Sequence, residues 1–137
     1  MKISASEIIN IISDDKALAL FKIIASINDN NNDSDGDTLR TKTKFSRTQY
    51  YSRLSSFIKM GLIKRRKGGN YSLTSFGKVI YEIQRIFEYT VNNYYWKLKA
   101  VDSAQLPKEI SREEYTKLVD SLIDNQKIKE IIAAGSF

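Results

Sequence analysis

"KFSRTQYYSRLSSFIKMGLIKRRKGGNYSLTSFGK", residues 44–78, reads as a helix, a hairpin and the start of another helix, each marked by its own residues. Ser46 and Gln49 stand in the S-x-x-Q order of a capping box, in which hydroxyl and amide satisfy backbone N–H groups that a helix start leaves unpaired. At about 100° per residue, Tyr50, Leu54, Phe57 and Ile58 share one face. Gly61 stands where a left-handed glycine closes a helix. The opposite face, Thr48, Gln49, Ser52, Ser56 and Lys59, is small, polar and without an acid, whereas an ordinary solvated helix face mixes Glu with Lys. "GLIKRR" and "NYSLT" are strand-like runs around "KGG", whose glycines permit a tight hairpin. Arg65, Arg66 and Lys67 are therefore expected at a hairpin tip, and Thr74 or Ser75 opens the next helix.

Charge singles out the same region. The chain of 137 residues has a net charge of +6, from 22 bases and 16 acids. Between Thr38 and Tyr81 lie 11 of those bases and no acid. They include Lys42, Lys44, Arg47, Arg53 and the hairpin cations Arg65, Arg66 and Lys67. The remaining 11 bases face all 16 acids, a balance of −5. A cationic segment inside an otherwise acidic chain is the electrostatic footprint of a polyanion partner.

Outward from the core stretch, the periodicity is helical almost throughout. Residues 6–12 form a short apolar helix. A second helix starts near Ser13, read as its N-cap, and buries Ala17, Leu20, Phe21, Ile24 and Ile27. Residues 28–37, "NDNNNDSDGD", read as a polar loop. Asn31, Asp33, Asp35 and Gly36 sit at calcium-loop offsets, but Lys42 occupies the position that needs a bidentate glutamate, so no calcium is expected. Residues 38–44 allow a short helix. After the hairpin, one helix is expected to run unbroken from 75 to about 101. Its Phe76, Ile80, Ile83, Phe87, Thr90, Tyr94 and Leu98 follow a near-heptad seam. Leu106-Pro107 breaks the chain. Ser111 and Glu114 form a second capping box ahead of the apolar stripe Tyr115, Leu118, Val119 and Leu122, and "NQKIKEII" adds a final turn or two.

The element order, helix, helix, short helix, capped helix, then a basic hairpin and a long helix, is that of a winged helix-turn-helix. Its second paired helix enters the major groove of DNA while the wing lies along the backbone or minor groove. The fold class is thus mainly α with a small β-hairpin wing. "KFSRTQYYSRLSSFIKMGLIKRRKGGNYSLTSFGK" resembles the winged-helix transcriptional regulators of archaea and bacteria, a superfamily that includes the arsenic repressors. In these an S-R-x-T-like helix start precedes "GLI", a basic wing and Y-x-L-T-x-x-G-K. "ISDDKALALFKIIAS" is similar to their first helix, and "NNYYWKLKAVDS" onward to a helical extension of archaeal members. The resemblance implies a sequence-specific, double-stranded DNA-binding regulator. It places Arg47, Thr48, Gln49, Tyr51 and Ser52 on the recognition helix (46–60), and Arg65, Arg66, Lys67 and Asn70 on the wing (64–71). Residues 1–78 are then the DNA-binding domain and 79–137 a helical dimerisation region. Tyr50 and Tyr51 depart from the pattern, which has a small aliphatic and a serine there. Tyr50 is assigned to the core, while Tyr51 is left between packing and a phosphate or base contact. Gln49 cannot serve fully both as cap and as a reader of adenine.

Other classes fare worse. The chain has no cysteine and no histidine, which removes disulfides, thiolate chemistry, the commonest general base and the commonest zinc ligand. No metal or cofactor is expected. Gly77-Lys78 resembles the end of a phosphate loop, but Ser72 and Val79 stand where glycine and a hydroxyl residue are required. Glu113-Glu114 are explained by the first turn of a helix. No enzyme is expected, because no base, nucleophile and orienter can be assembled. RNA is a weaker partner than duplex DNA, since the Tyr50-Tyr51 pair lies on a helix and not on a sheet platform. The rival is a winged-helix module bridging proteins in a larger complex. Neither a signal peptide nor a membrane span is legible, so a cytoplasmic location is expected. Phe87, Tyr94, Tyr95, Trp96 and Leu98 lie too far along the helix for a small winged core to cover. Either residues 112–132 fold back over them or a second copy does, and a homodimer through helix 75–101 is expected.

Overall fold

The computed structural model describes residues 2–29, 44–105 and 111–136. Two compact units divide the chain, residues 1–84 and 85–137. The first holds α1 (Ala5–Ile12), α2 (Asp15–Asp29), α3 (Arg47–Lys59), β1 (Ile63–Arg65), β2 (Tyr71–Leu73) and most of α4 (Ser75–Tyr89). The second holds the end of α4, a π-helical turn (Thr90–Tyr94), α5 (Tyr95–Gln105), α6 (Arg112–Leu122) and α7 (Gln126–Ser136). No helix among the described residues is long and apolar enough to cross a membrane. The region expected as a calcium-like loop and short helix, 30–43, and the Leu106-Pro107 break lie outside the described residues.

In the first unit local chemistry sets each boundary. Ser4 Oγ accepts the Glu7 N–H at 3.2 Å and starts α1. The N-cap of α2 is Asp14, not Ser13: its carboxylate accepts the Lys16 N–H at 3.2 Å, and its carbonyl accepts the Leu18 N–H. Ser13 Oγ instead donates to the Asn10 carbonyl and closes α1. A carboxylate caps a helix start at least as well as a hydroxyl and adds favourable charge against the helix dipole. The capping box of α3 is made in both directions. Gly61, at φ +75°, ends that helix as its position demands.

The core joins α2 to α3 and the hairpin. Leu20, Phe21 and Ile24 meet Tyr50, Leu54 and Phe57, with Leu62, Ile63, Tyr71 and Leu73 completing it. The Phe21 and Phe57 rings lie 5.7 Å apart. Ile58 shares this face by helical spacing, yet it is 44% exposed. It lies about 70° round the helix from the mean direction of Leu54 and Phe57, on the side of the exposed Tyr51. Ile27, also expected in the core, has no described side chain.

The hairpin is antiparallel with Ile63 opposite Leu73, Lys64 opposite Ser72 and Arg65 opposite Tyr71. Thr74 then starts α4: its Oγ1 accepts the Gly77 N–H at 2.9 Å and donates to the Gly61 carbonyl. Gly77 is buried, and a Cβ there would run into the Leu62 carbonyl oxygen. The start of α4 can sit on the 61–62 turn only because residue 77 has no side chain.

The helix from 75 is not uninterrupted α. At Thr90–Tyr94 it widens to i→i+5 bonding, which takes in an extra residue and breaks the phase of the apolar pattern. Thr90 Oγ1 donates to the Ile86 carbonyl at 2.8 Å and Asn93 Nδ2 to the Tyr89 carbonyl at 3.1 Å, serving acceptors in the altered register. The near-heptad seam therefore splits. Ile80 packs on the first core and Tyr94 is buried in the second, while Phe76, Ile83 and Phe87 are exposed.

In the second unit α6 and α7 return onto 94–101. Tyr94, Val101, Tyr115, Val119 and Ile123 form its core, flanked by Leu98, Leu122, Ile128 and Ile132. The Tyr94 hydroxyl donates to Asp124. Ser111 Oγ accepts the Glu114 N–H and opens α6, which makes the hydroxyl half of the expected capping box. The last helix spans 11 residues, about three turns, more than the one or two read from its sequence. The fold-back thus covers Tyr94 and Leu98. It leaves Phe87 at 70% and Trp96 at 74% exposure, with Val91 and Tyr95 also exposed.

Candidate nucleic-acid interface

The candidate residues come from α3, the turn before it and the hairpin, all within the first unit. α3 packs on β1 through the Met60–Leu62 link, where the Leu62 N–H bonds the Phe57 carbonyl at 2.9 Å. Helix and wing are therefore parts of one packed body.

On α3, Arg47, Thr48, Tyr51 and Ser52 are exposed. Gln49 is also exposed, but its Oε1 accepts the Ser46 N–H at 3.3 Å, so its carbonyl end serves the cap. The conflict noted in its sequence position is resolved towards capping. Tyr50 is buried, as expected, and Tyr51 stands edge-on against it, ring centroids 5.2 Å apart.

Arg53 takes a different place from the one the basic segment implied. Its Nη2 lies 2.6 Å from the Asp14 carboxylate, tying α3 to the start of α2. The hydrogen bond from Arg53 holds the Asp14 carboxyl below its usual range, helped by the Lys16 N–H. The segment without acids in sequence thus meets the Asp14 carboxylate in space, and Arg53 is engaged by a half-exposed ion pair within the protein's own surface. No spacing signal in the chain links positions 14 and 53; only the packing of α2 on α3 does so.

On the wing Lys64, Arg65, Arg66 and Lys67 are all exposed. The turn is closed by the Arg66 N–H on the Asn70 carbonyl at 2.6 Å and by the Gly69 N–H on the Arg66 carbonyl at 3.2 Å. Gly68 and Gly69 have φ of +91° and +86°, values that side-chain-bearing residues rarely adopt. This geometry carries Arg66 and Lys67 out on a short loop directly after Lys64 and Arg65 of β1, so that four consecutive cations are exposed on the hairpin. Asn70 is half-buried at its base. Lys44 is exposed in the turn before α3 at φ +58°. Lys42 lies outside the described residues.

Two exposed residues of α3 escaped the sequence reading. Ser55 points outward with Thr48 and Ser52, and Ile58 is exposed beside Tyr51 at nearly the same angle. The angular position of Ile58 was legible, but its hydrophobicity favoured the core. Among the described residues no group of His, Cys, Asp or Glu could hold a metal ion. No protein-family model, curated protein or solved structure matches the chain.

Proposed function

We propose that the protein is a winged helix-turn-helix transcriptional regulator that binds double-stranded DNA, α3 in the major groove and the 64–71 wing on the backbone or minor groove. The observation that carries this reading is the pairing of a capped helix, whose outer face holds hydroxyls and cations without an acid, with a hairpin presenting four exposed cations in succession. Phosphate contacts reward such a field through counterion release. The resemblance of residues 44–78 to winged-helix regulators supports the same conclusion.

Helix and wing are expected to fail differently. Arg66→Ala or Lys67→Ala should weaken binding to every duplex alike, because phosphate contacts position without specifying. Ser52→Ala should instead change which sequences are preferred, by about 1–3 kcal/mol for a lost base contact. Anisotropy titrations of these variants against a panel of duplexes test the assignment. Wing variants that alter sequence preference while Ser52→Ala does not would reverse the two roles. No binding of any duplex would leave the protein-bridging module as the better reading.

The active form in this proposal is a homodimer through the long helix. Phe87, Val91, Tyr95 and Trp96 are exposed after the fold-back. Aromatic side chains of this kind are enriched at interfaces. Lys99 lies over the Tyr95 and Trp96 rings at 4.9 and 5.0 Å, completing a patch of aromatic and cationic character. A second copy covering it would present two recognition helices to a pseudo-palindromic site, about 34 Å apart or a multiple of that. Sedimentation equilibrium at tens of micromolar should give a dimer for the full chain and a monomer for Phe87→Glu. A monomeric full-length chain would remove dimerisation from the proposal.

A further inference from the structure

The side chains able to grip a purine edge with two hydrogen bonds are Arg, Lys, Asn and Gln. α3 carries Arg47, Gln49, Arg53 and Lys59. Gln49 Oε1 is taken by the cap and Arg53 by Asp14. Ser56 Oγ donates to the Ser52 carbonyl of its own helix at 3.1 Å. The long polar readers that remain, Arg47 and Lys59, stand at the two ends of the helix, about 18 Å apart along its axis. Between them on the outer surface stand Thr48, Ser52 and Ser55, and along one flank of that surface, between it and the core, run two apolar side chains, Tyr51 at 53% and Ile58 at 44% exposure.

Tyr51 and Ile58 are seven residues apart, so they lie within about 20° of one another around the helix and about 10 Å apart along it. Tyr51 is braced edge-on by the buried Tyr50 ring, 5.2 Å between centroids at 77°, which sets its ring before any ligand arrives. Together they form an apolar ridge on a helix with no acid to repel phosphates. The apolar group that a duplex offers in its major groove is the thymine 5-methyl.

From this we infer that Tyr51 and Ile58 read thymine methyl groups, about three base-pair steps apart given the 3.4 Å spacing of a strand. The inference rests on the DNA-binding reading above, with α3 in the major groove. Replacement of thymine by uracil removes the methyl group alone and tests it directly. Duplexes are first selected from a randomised pool by the full-length protein, and each thymine of the recovered site is then changed to uracil in turn. The recovered sites should contain two thymines about three positions apart, and uracil at either should weaken binding about three- to five-fold, the factor for one methyl group removed from water. Tyr51→Ala should abolish the penalty at one of them and Ile58→Ala at the other. Both side chains are largely outside the core, and unchanged thermal melts would verify that the variants fold. The wild-type scan stands without them: retained duplex binding with no uracil penalty at any thymine overturns the inference and leaves the DNA reading intact. Penalties that persist in both folded variants overturn it too. Failure to recover any duplex overturns the DNA reading and the ridge together.

Discussion

Raising salt from about 50 to about 200 mM is expected to weaken duplex DNA binding by about two to three orders of magnitude per protomer. The expectation comes from counting the cations that remain available. Lys44, Arg47, Lys64, Arg65, Arg66 and Lys67 are exposed around α3 and the wing. Arg53 is withdrawn by its 2.6 Å contact with Asp14. If about five of the exposed cations meet phosphates, each releases its condensed counterion and contributes about −0.9 to the slope of log K against log salt. A slope of about −4 to −5 per protomer follows. Anisotropy of a labelled mixed-sequence duplex, titrated at four or more salt concentrations, measures it. A slope shallower than about −2, or no binding at the lowest salt, would show that the cations serve something other than the DNA backbone.

Gly77→Ala is expected to destabilise the first unit by about 3 kcal/mol, at the upper end of overpacking costs. The added methyl would meet the Leu62 carbonyl oxygen, and Leu62 is fixed by the hairpin and by the Thr74 N–H bonded to that same carbonyl at 3.1 Å. Backbone held from two sides cannot move aside as a flexible side chain would. Against a typical domain stability of about 5–15 kcal/mol this is a large fraction, and a fall in melting temperature of roughly 10–20 °C should accompany it. Gly61→Ala is the internal control. It has open space around its Cβ position, so its cost is the left-handed φ alone, about 1–2 kcal/mol. Thermal melts by circular dichroism compare the two. A Gly77→Ala variant that melts with the wild type would mean that the start of α4 does not rest on the 61–62 turn.

Gly77 also shows where sequence reading stops. In the chain it appears as a glycine followed by lysine inside a helix, a residue pair that first prompts comparison with a phosphate loop. Its role depends on a carbonyl 15 positions earlier, brought close by the turn between α3 and the hairpin. The sequence carries no mark of that proximity. The same is true of Arg53, which charge counting assigned to DNA and which packing assigned to Asp14.

The features legible from the residues alone were those governed by local chemistry. A hydroxyl followed three positions later by Gln begins a helix wherever it occurs, and the Ser46–Gln49 box formed as read. Paired glycines permit positive φ, and Gly68-Gly69 supplied it. Helical phase placed Tyr50, Leu54 and Phe57 inside. Tertiary structure decided what depends on neighbours distant in sequence: that Ile58 stays outside, that Arg53 turns to Asp14, and that α6 and α7 cover Tyr94 but not Trp96. The π turn at Thr90–Tyr94 belongs to this second group. Helical periodicity assumes one fixed angle per residue, and one extra residue in a turn rotates everything after it. Burial is a property of what lies opposite a side chain, and only the folded chain specifies what that is.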